Sequence, residues 1–351
     1  MPATAFTIVL ILPALHLVGL ELRGAWVWAP LLVVFGLIPL LDPLFGRSLR
    51  DRPEAAGHAR RYDLLLELWF PLQAALIVWT LLALRERPAT GASEWAGLAV
   101  SLALTTGAGG INIAHELMHR RGRLHRALGE ALMSSVLYAH FCVEHVLGHH
   151  RMVATPEDGA SARRGEAVYA FVPRSVVQGW RSAWRLEGQR CRRHGVGRLS
   201  LADRRLRHPL VQGALLAAVG LGFGAPGLTF FLAQAAGAVL LLEVINYIEH
   251  YGLARARVPA AGGGERWERV EPRHSWNSTN RLTGAFLFHL TRHSDHHAEA
   301  SRPYDLLRAL PAAPHLPAGY PAMMLLSLLP PLWFRVMDPR AEAARAQPSS
   351  A

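Results

Sequence analysis

Apolar residues fall along this chain in six long blocks: Thr4–Leu20, Ala25–Leu41, Leu64–Leu84, Trp95–Ile113, Pro209–Phe223 and Leu228–Tyr247. A helix needs ~17–25 mostly apolar residues to cross ~30 Å of hydrocarbon. The third, fourth and sixth blocks meet that length comfortably. The first is short and carries Pro13 and His16, and the fifth is short but rich in the glycine and alanine that let helices pack closely. The pattern predicts an all-α protein, a six-span transmembrane bundle. Leu124–Cys142 is too short and too mixed to span, and it reads as a helix lying on or under the membrane face. Tyr320–Val336 is apolar but broken by Pro330 and Pro331, which suits an interfacial or re-entrant helix. Gly262, Gly263 and Gly264 mark a surface loop.

Arginine placement orients the bundle. Arg23 alone lies between the first two blocks, and none lies in the Gly224–Gly227 turn. The 46–62 loop, residues 114–208 and everything after 250 are arginine-rich. Basic residues near span ends stay on the cytoplasmic side. Both termini and a helical cap, 114–208 and 248–340, are therefore expected in the cytoplasm. Residues 1–340 read as a single integral-membrane domain and 341–351 as a disordered tail. The N-terminal block has no basic region before it and is not a convincing signal peptide.

Composition sharpens this picture. The 351 residues are 51% hydrophobic and 18% charged, with a formal charge of +11 and no lysine. Cys142 and Cys191 are too few for a disulfide framework, a four-cysteine zinc site or an iron–sulfur cluster. Histidine, at 18 residues, is the outlier.

Nine of those histidines gather in four motifs, all on the predicted cytoplasmic side. His115-Glu116-x-x-His119 ends the fourth block, and its i, i+4 spacing puts both rings on one helix face. Glu144-His145-x-x-Gly148-His149-His150 follows in the cap. Asn246-Tyr247-x-Glu249-His250-Tyr251-Gly252 ends the sixth block, and His293-Ser294-Asp295-His296-His297 is the fourth motif. A lone histidine is more often an ordinary surface or core residue than a ligand, but two doublets and an H-x-x-x-H pair on one face are not lone. Nine imidazoles exceed the four ligands of a tetrahedral zinc. They suit two ions of higher coordination, and imidazole alone does not select the element. Asn112, Glu116, Glu144, Glu249 and Asp295 lie beside the histidines, placed to accept a second ring N–H and fix the tautomers. Each also reads simply as a solvated polar group. Histidines 16, 58, 125, 140, 194, 208, 274, 289 and 315 lack this clustering.

These motifs resemble the membrane alkane 1-monooxygenases of the fatty-acid desaturase and hydroxylase superfamily. Ala154-Thr155-Pro156-Glu157-Asp158, His274-Ser275-Trp276-Asn277, Gly319-Tyr320-Pro321 and Trp333 to Pro339 belong to the same pattern. Thr291 and Gly159 depart from it, at positions beside no expected ligand. The resemblance implies two non-haem iron ions on His115, His119, His145, His149, His150, His250, His293, His296 and His297. It implies O2-dependent hydroxylation of the terminal methyl of a linear alkane, with electrons from a separate rubredoxin. The expected setting is the bacterial inner membrane, with lipid around the spans, an arginine-rich cap facing the donor and no nucleic-acid partner. Trp26, Trp28, Trp69 and Trp79 are candidate stops for the alkane chain, against the simpler reading of belt or lipid-facing rings.

Three rivals remain at this level. H-E-x-x-H alone also fits a zinc protease, which has no use for the other clustered histidines. A metal transporter would place its ligands near the bilayer midplane. A related di-iron oxidase, acting on fatty acids, sterols, carotenoids or xylene, shares most of the pattern.

Overall fold

A computed structural model describes residues 1–53, 57–260 and 262–347. Among the described residues, five helices are long and apolar enough to cross a membrane: α1 (Ala3–Leu22), α2 (Gly24–Phe45), α3 (Arg60–Glu86), α4 (Ala92–Met118) and the 47-residue α8 (Arg204–His250). Leu40, Leu44 and Leu221 are 73%, 79% and 91% exposed, as expected of side chains that face lipid rather than water. This is the architecture of an integral membrane protein. At ~1.5 Å per residue a straight α8 would reach ~70 Å, more than twice the hydrocarbon thickness. It is not straight. Gly224 has φ 65° and ψ −168°, which breaks the helix near its middle, two residues before Pro226. A side chain at that positive φ would be strained, so glycine is what permits the break.

Helix α4 is the most enclosed of the five, with 89% of its apolar window buried. Its middle, Thr105–Ile111, widens into a π turn rich in glycine. There α3 presses close: a Cβ on Gly109 would sit 2.2 Å from Trp69 Cζ2, and one on Gly110 would sit 2.0 Å from Gln73 Oε1. Polar contacts tie the spans together at depth. His16 bridges Ser101 Oγ at 2.9 Å and Thr80 Oγ1 at 2.8 Å, so this histidine is a satisfied structural link between three helices.

The cap is helical but not wholly so. It comprises α5 (Arg123–Ser135), α6 (141–152) and α7 (Val168–Arg193) before α8. After α8 come α9 (Arg281–Phe286), α10 (His293–Ala298), α11 (Tyr320–Ser327) and α12 (Pro330–Arg345). Between α8 and α9 a short antiparallel hairpin, β1 (Arg257–Pro259) and β2 (Glu265–Trp267), departs from the all-α expectation. Gly263 and Gly264 turn it with φ 85° and 77°. The helix expected over 124–142 stops at Ser135. The C-terminal apolar segment divides into α11 and α12, with Pro330 and Pro331 at the start of the second, where their missing N–H groups cost nothing. The expected disordered tail from 341 is corrected in part. Ala341 and Ala344 are 0% and 4% exposed because α12 packs on through Arg345, while 348–351 lie outside the described residues.

Candidate metal centre

Four elements carry the histidine motifs to one place. His115 lies in the last turns of α4 and His119 caps its C-terminus. His145 to His149 form a second π turn within α6. His250 ends α8, and His293, His296 and His297 share one side of the short α10. A π turn holds one residue more than an α turn, and such bulges gather at functional sites. Here it brings His145, His149 and His150 all inward.

The nine rings separate into two groups. His115, His119, His145, His150 and His296 form one, and His149, His250, His293 and His297 the other, with ring nitrogens within 4.8 Å of one another in each. Close Nε2 pairs lie at 3.0 Å (His150–His145) and 3.1 Å (His296–His150, His293–His250 and His297–His293). Nitrogens ~2.1 Å from a shared six-coordinate ion would stand ~3 Å apart when adjacent. The Nε2 atoms of His115 and His119 are buried and, among the described residues, have no hydrogen-bond partner. Orphaned buried nitrogens are costly unless something meets them, so this donor set fits metal ions. Burial, together with the neighbouring rings, pushes His145, His150, His293, His296 and His297 well below the usual imidazole range. Burial takes His119 down to about 3. Neutral rings keep their lone pairs for a cation.

The carboxylates around the rings do not all act as expected. Asp158, which the sequence reading left out of the site, accepts from His149 Nδ1 at 2.9 Å and fixes that ring. It also accepts from Ser161 Oγ at 2.6 Å and from the backbone N–H of Ala160. The turn that delivers it includes Ala154 at φ 59°. Burial opposes a charged His149, but the Asp158 carboxylate outweighs that and raises it. The only sequence signal for Asp158 was its place in the Ala154–Asp158 segment. Two expected ring acceptors are corrected. Glu116 pairs with Arg120 at 2.8 Å and accepts from the Tyr304 N–H. Asp295 is held by Arg308 at 2.8 Å and by Arg302 at 3.1 Å. These carboxylates pin the segments that carry the ligands rather than the rings. Glu249 Oε2 lies 3.4 Å from His293 Nε2. Burial and the Asp158 charge push the Glu144 carboxyl up to about 8.

On the membrane side a narrow cleft runs between α4 and α8 to the histidines. Ile111, Phe141, Leu241, Leu242, Ile245 and Leu290 make its walls, and Asn112, His115, Glu249 and His293 are at its polar end. No tryptophan lines it. Of the four candidate stops, Trp69 is packed into the core, Trp28 is half-buried and Trp26 and Trp79 are over half exposed. On the opposite side of α6 an open groove is lined by Arg151, Arg181 and Arg185, with Glu144 and Asp158 among its residues.

Comparison with known proteins decides the lineage. The fatty acid desaturase family model matches residues 93–327. Alkane 1-monooxygenase 2 of Pseudomonas aeruginosa is 42% identical over 93% of this chain and 86% of its own length. Alkane 1-monooxygenase 1 of the same organism is 43% identical over 91% and 84%. The chain belongs to the alkane monooxygenase branch of the fatty acid desaturase family. The xylene/toluene monooxygenase hydroxylase component of Pseudomonas putida is more distant, at 27% identity over 96% of this chain and 88% of its own. The matched family region, 93–327, contains all four histidine motifs.

Proposed function

We propose that this protein hydroxylates the terminal methyl of linear alkanes to primary alcohols, using O2 at two irons held by the nine histidines. The observation that carries this reading is the meeting of an apolar cleft with the five-and-four histidine groups. The overall reaction takes an alkane, O2, two electrons and two protons to the alcohol and water. The irons, when bound, would supply the redox chemistry that an inert C–H bond requires. The chain's own residues do the rest. In this reading a straight chain enters between α4 and α8 along the apolar walls of the cleft, so the methyl end meets the histidines first. Asp158 fixes the His149 ring and places a carboxylate directly behind the rings that would hold the cations. In this reading α8 is two spans joined at the Gly224 break, which makes six crossings. Residues 1–345 form one domain in the bacterial inner membrane, with both termini and the cap in the cytoplasm. The electrons come from rubredoxin, docking on the groove of Arg151, Arg181 and Arg185.

The test is to supply membranes containing the protein with rubredoxin, its reductase, labelled O2 and either n-octane or p-xylene. The expected result is label in 1-octanol, little turnover of xylene and about two irons per chain. Subterminal alcohols, a preference for xylene or bound zinc would overturn the reading.

A further inference from the structure

Between α5 and the start of α8 lies a cavity of about 480 Å³ that is separate from the histidine centre. Arg123 and Arg126 line it from α5, Arg204 and Arg207 from α8, and Ala127, Ala131 and Val211 form its apolar part. Glu130 is the carboxylate in this lining, and its two oxygens are already taken by Arg204 at 3.0 Å and Arg207 at 2.5 Å. Four guanidiniums against one carboxylate leave a formal excess of three positive charges. Arg123 and Arg126 are exposed and, among the described residues, have no carboxylate partner.

Two observations point to the headgroup level for this cavity. Along α8 the exposed surface turns apolar directly below the arginines, with Leu210 and Val211 52% and 48% exposed. Beside it, α7 presents exposed Tyr169, Val177, Trp180 and Trp184, which fall within an arc of about 80° at ~100° per residue. The two tryptophan rings lie 5.2 Å apart and share a neighbouring cavity with Arg204 and His208. Tryptophan and tyrosine favour the headgroup level, so the arginine cavity stands where lipid phosphates stand.

We infer that this cavity binds the phosphodiester headgroup of an anionic phospholipid, with the acyl chains lying along Leu210 and Val211. The chemistry is that of guanidinium forks on phosphate oxygens, in a basic pocket at a span end. A soluble acidic protein would have no use for the apolar wall that continues down α8.

The test uses full-length, metal-loaded protein in neutral detergent, titrated with phosphatidylglycerol or phosphatidylcholine and read by native mass spectrometry. Phosphatidylglycerol should bind the wild type in preference, with one tightly held molecule. Each arginine near the membrane surface contributes roughly fivefold. Arg123→Gln with Arg126→Gln should therefore weaken that binding about thirtyfold with iron content unchanged, and Arg123→Lys with Arg126→Lys should restore most of it. Arg126 also donates to the backbone carbonyls of Arg120 and Arg121. Arg123→Gln alone, with an expected loss of about fivefold, therefore serves if the double variant misfolds. Equal binding of the two lipids, or unchanged binding in the variants, would overturn the inference. So would displacement of the lipid by millimolar inorganic phosphate, which would mark a site for the free anion. A raised KM for rubredoxin with unaltered lipid binding would assign the arginines to the electron donor instead.

Discussion

Asp158 controls the orientation of His149 through a single hydrogen bond from nine residues away, whereas Asp295, directly beside His296, grips Arg308 and Arg302. The two aspartates should fail differently. Asp158→Asn should lower metal affinity or turnover by roughly 10–100-fold, the usual cost of losing a carboxylate behind a metal-bound ring. Asp295→Asn should lower the melting temperature first, with metal lost only as the fold loosens. Metal content per folded chain, measured alongside thermal unfolding, separates them. His58 offers a test by pH. It lies 2.6 Å from Asp305 Oδ1 and 2.9 Å from Asp63 Oδ1. Burial works against its charge, but the hydrogen bond to Asp305 and the adjoining Asp63 carboxylate outweigh it and hold the ring up to about 9. An unfolded histidine titrates near ~6.5. The raised folded value means the contribution is complete below ~6.5 and fades as pH rises through about 9. Wild type should therefore melt above His58→Gln at about pH 6, and the gap should close by about pH 10. A gap that widened with pH would rule out the charged pair. The nine ligand candidates were legible in the sequence because i, i+4 pairs and His-His doublets are local signals. Asp158 was not, because its partnership depends on a left-handed turn at Ala154 that no residue type announces.

At the level of elements, the π turn of α4 depends on small residues. Gly109 has Trp69 Cζ2 where its Cβ would go, at 2.2 Å, and the indole is anchored by its own hydrogen bond to Gln73 at 3.0 Å. Gly109→Val should destabilise the protein by ~1–3 kcal/mol through overpacking and should displace His115, six residues on. Loss of melting temperature together with reduced metal content would bear this out. An unchanged melting temperature would mean that Trp69 yields freely. The long apolar blocks made the spans readable, since hydropathy over ~20 residues is a strong signal. The π turns were not readable, because a single added residue leaves the apolar pattern almost unaltered. The hairpin at 257–267 escaped notice for a related reason: three-residue strands carry too little alternation to register.

Across the whole molecule, the proposed function makes the cleft between α4 and α8 the path to the histidines. Leu241 stands where α8 meets the glycine turn of α4, and a Cβ on Gly107 would come within 3.0 Å of its Cδ1. Leu241→Phe should shift the alcohols formed from a mixture of alkanes toward shorter chains, and Leu241→Ala toward longer ones. An identical product spectrum in both variants would place the alkane path elsewhere. The division of the nine rings into five and four could not be read from spacing, since it follows from His149 and His150, and likewise His296 and His297, turning to different groups although each pair is adjacent in the chain. That adjacency has a mechanical consequence. Two peptide units are each shared by both halves of the centre, so neither half can be rebuilt alone. Filling one half should lower the entropic cost of filling the other, and iron uptake by the stripped protein should be cooperative. Native mass spectra taken during iron titration should then show empty and doubly loaded chains with few carrying a single ion.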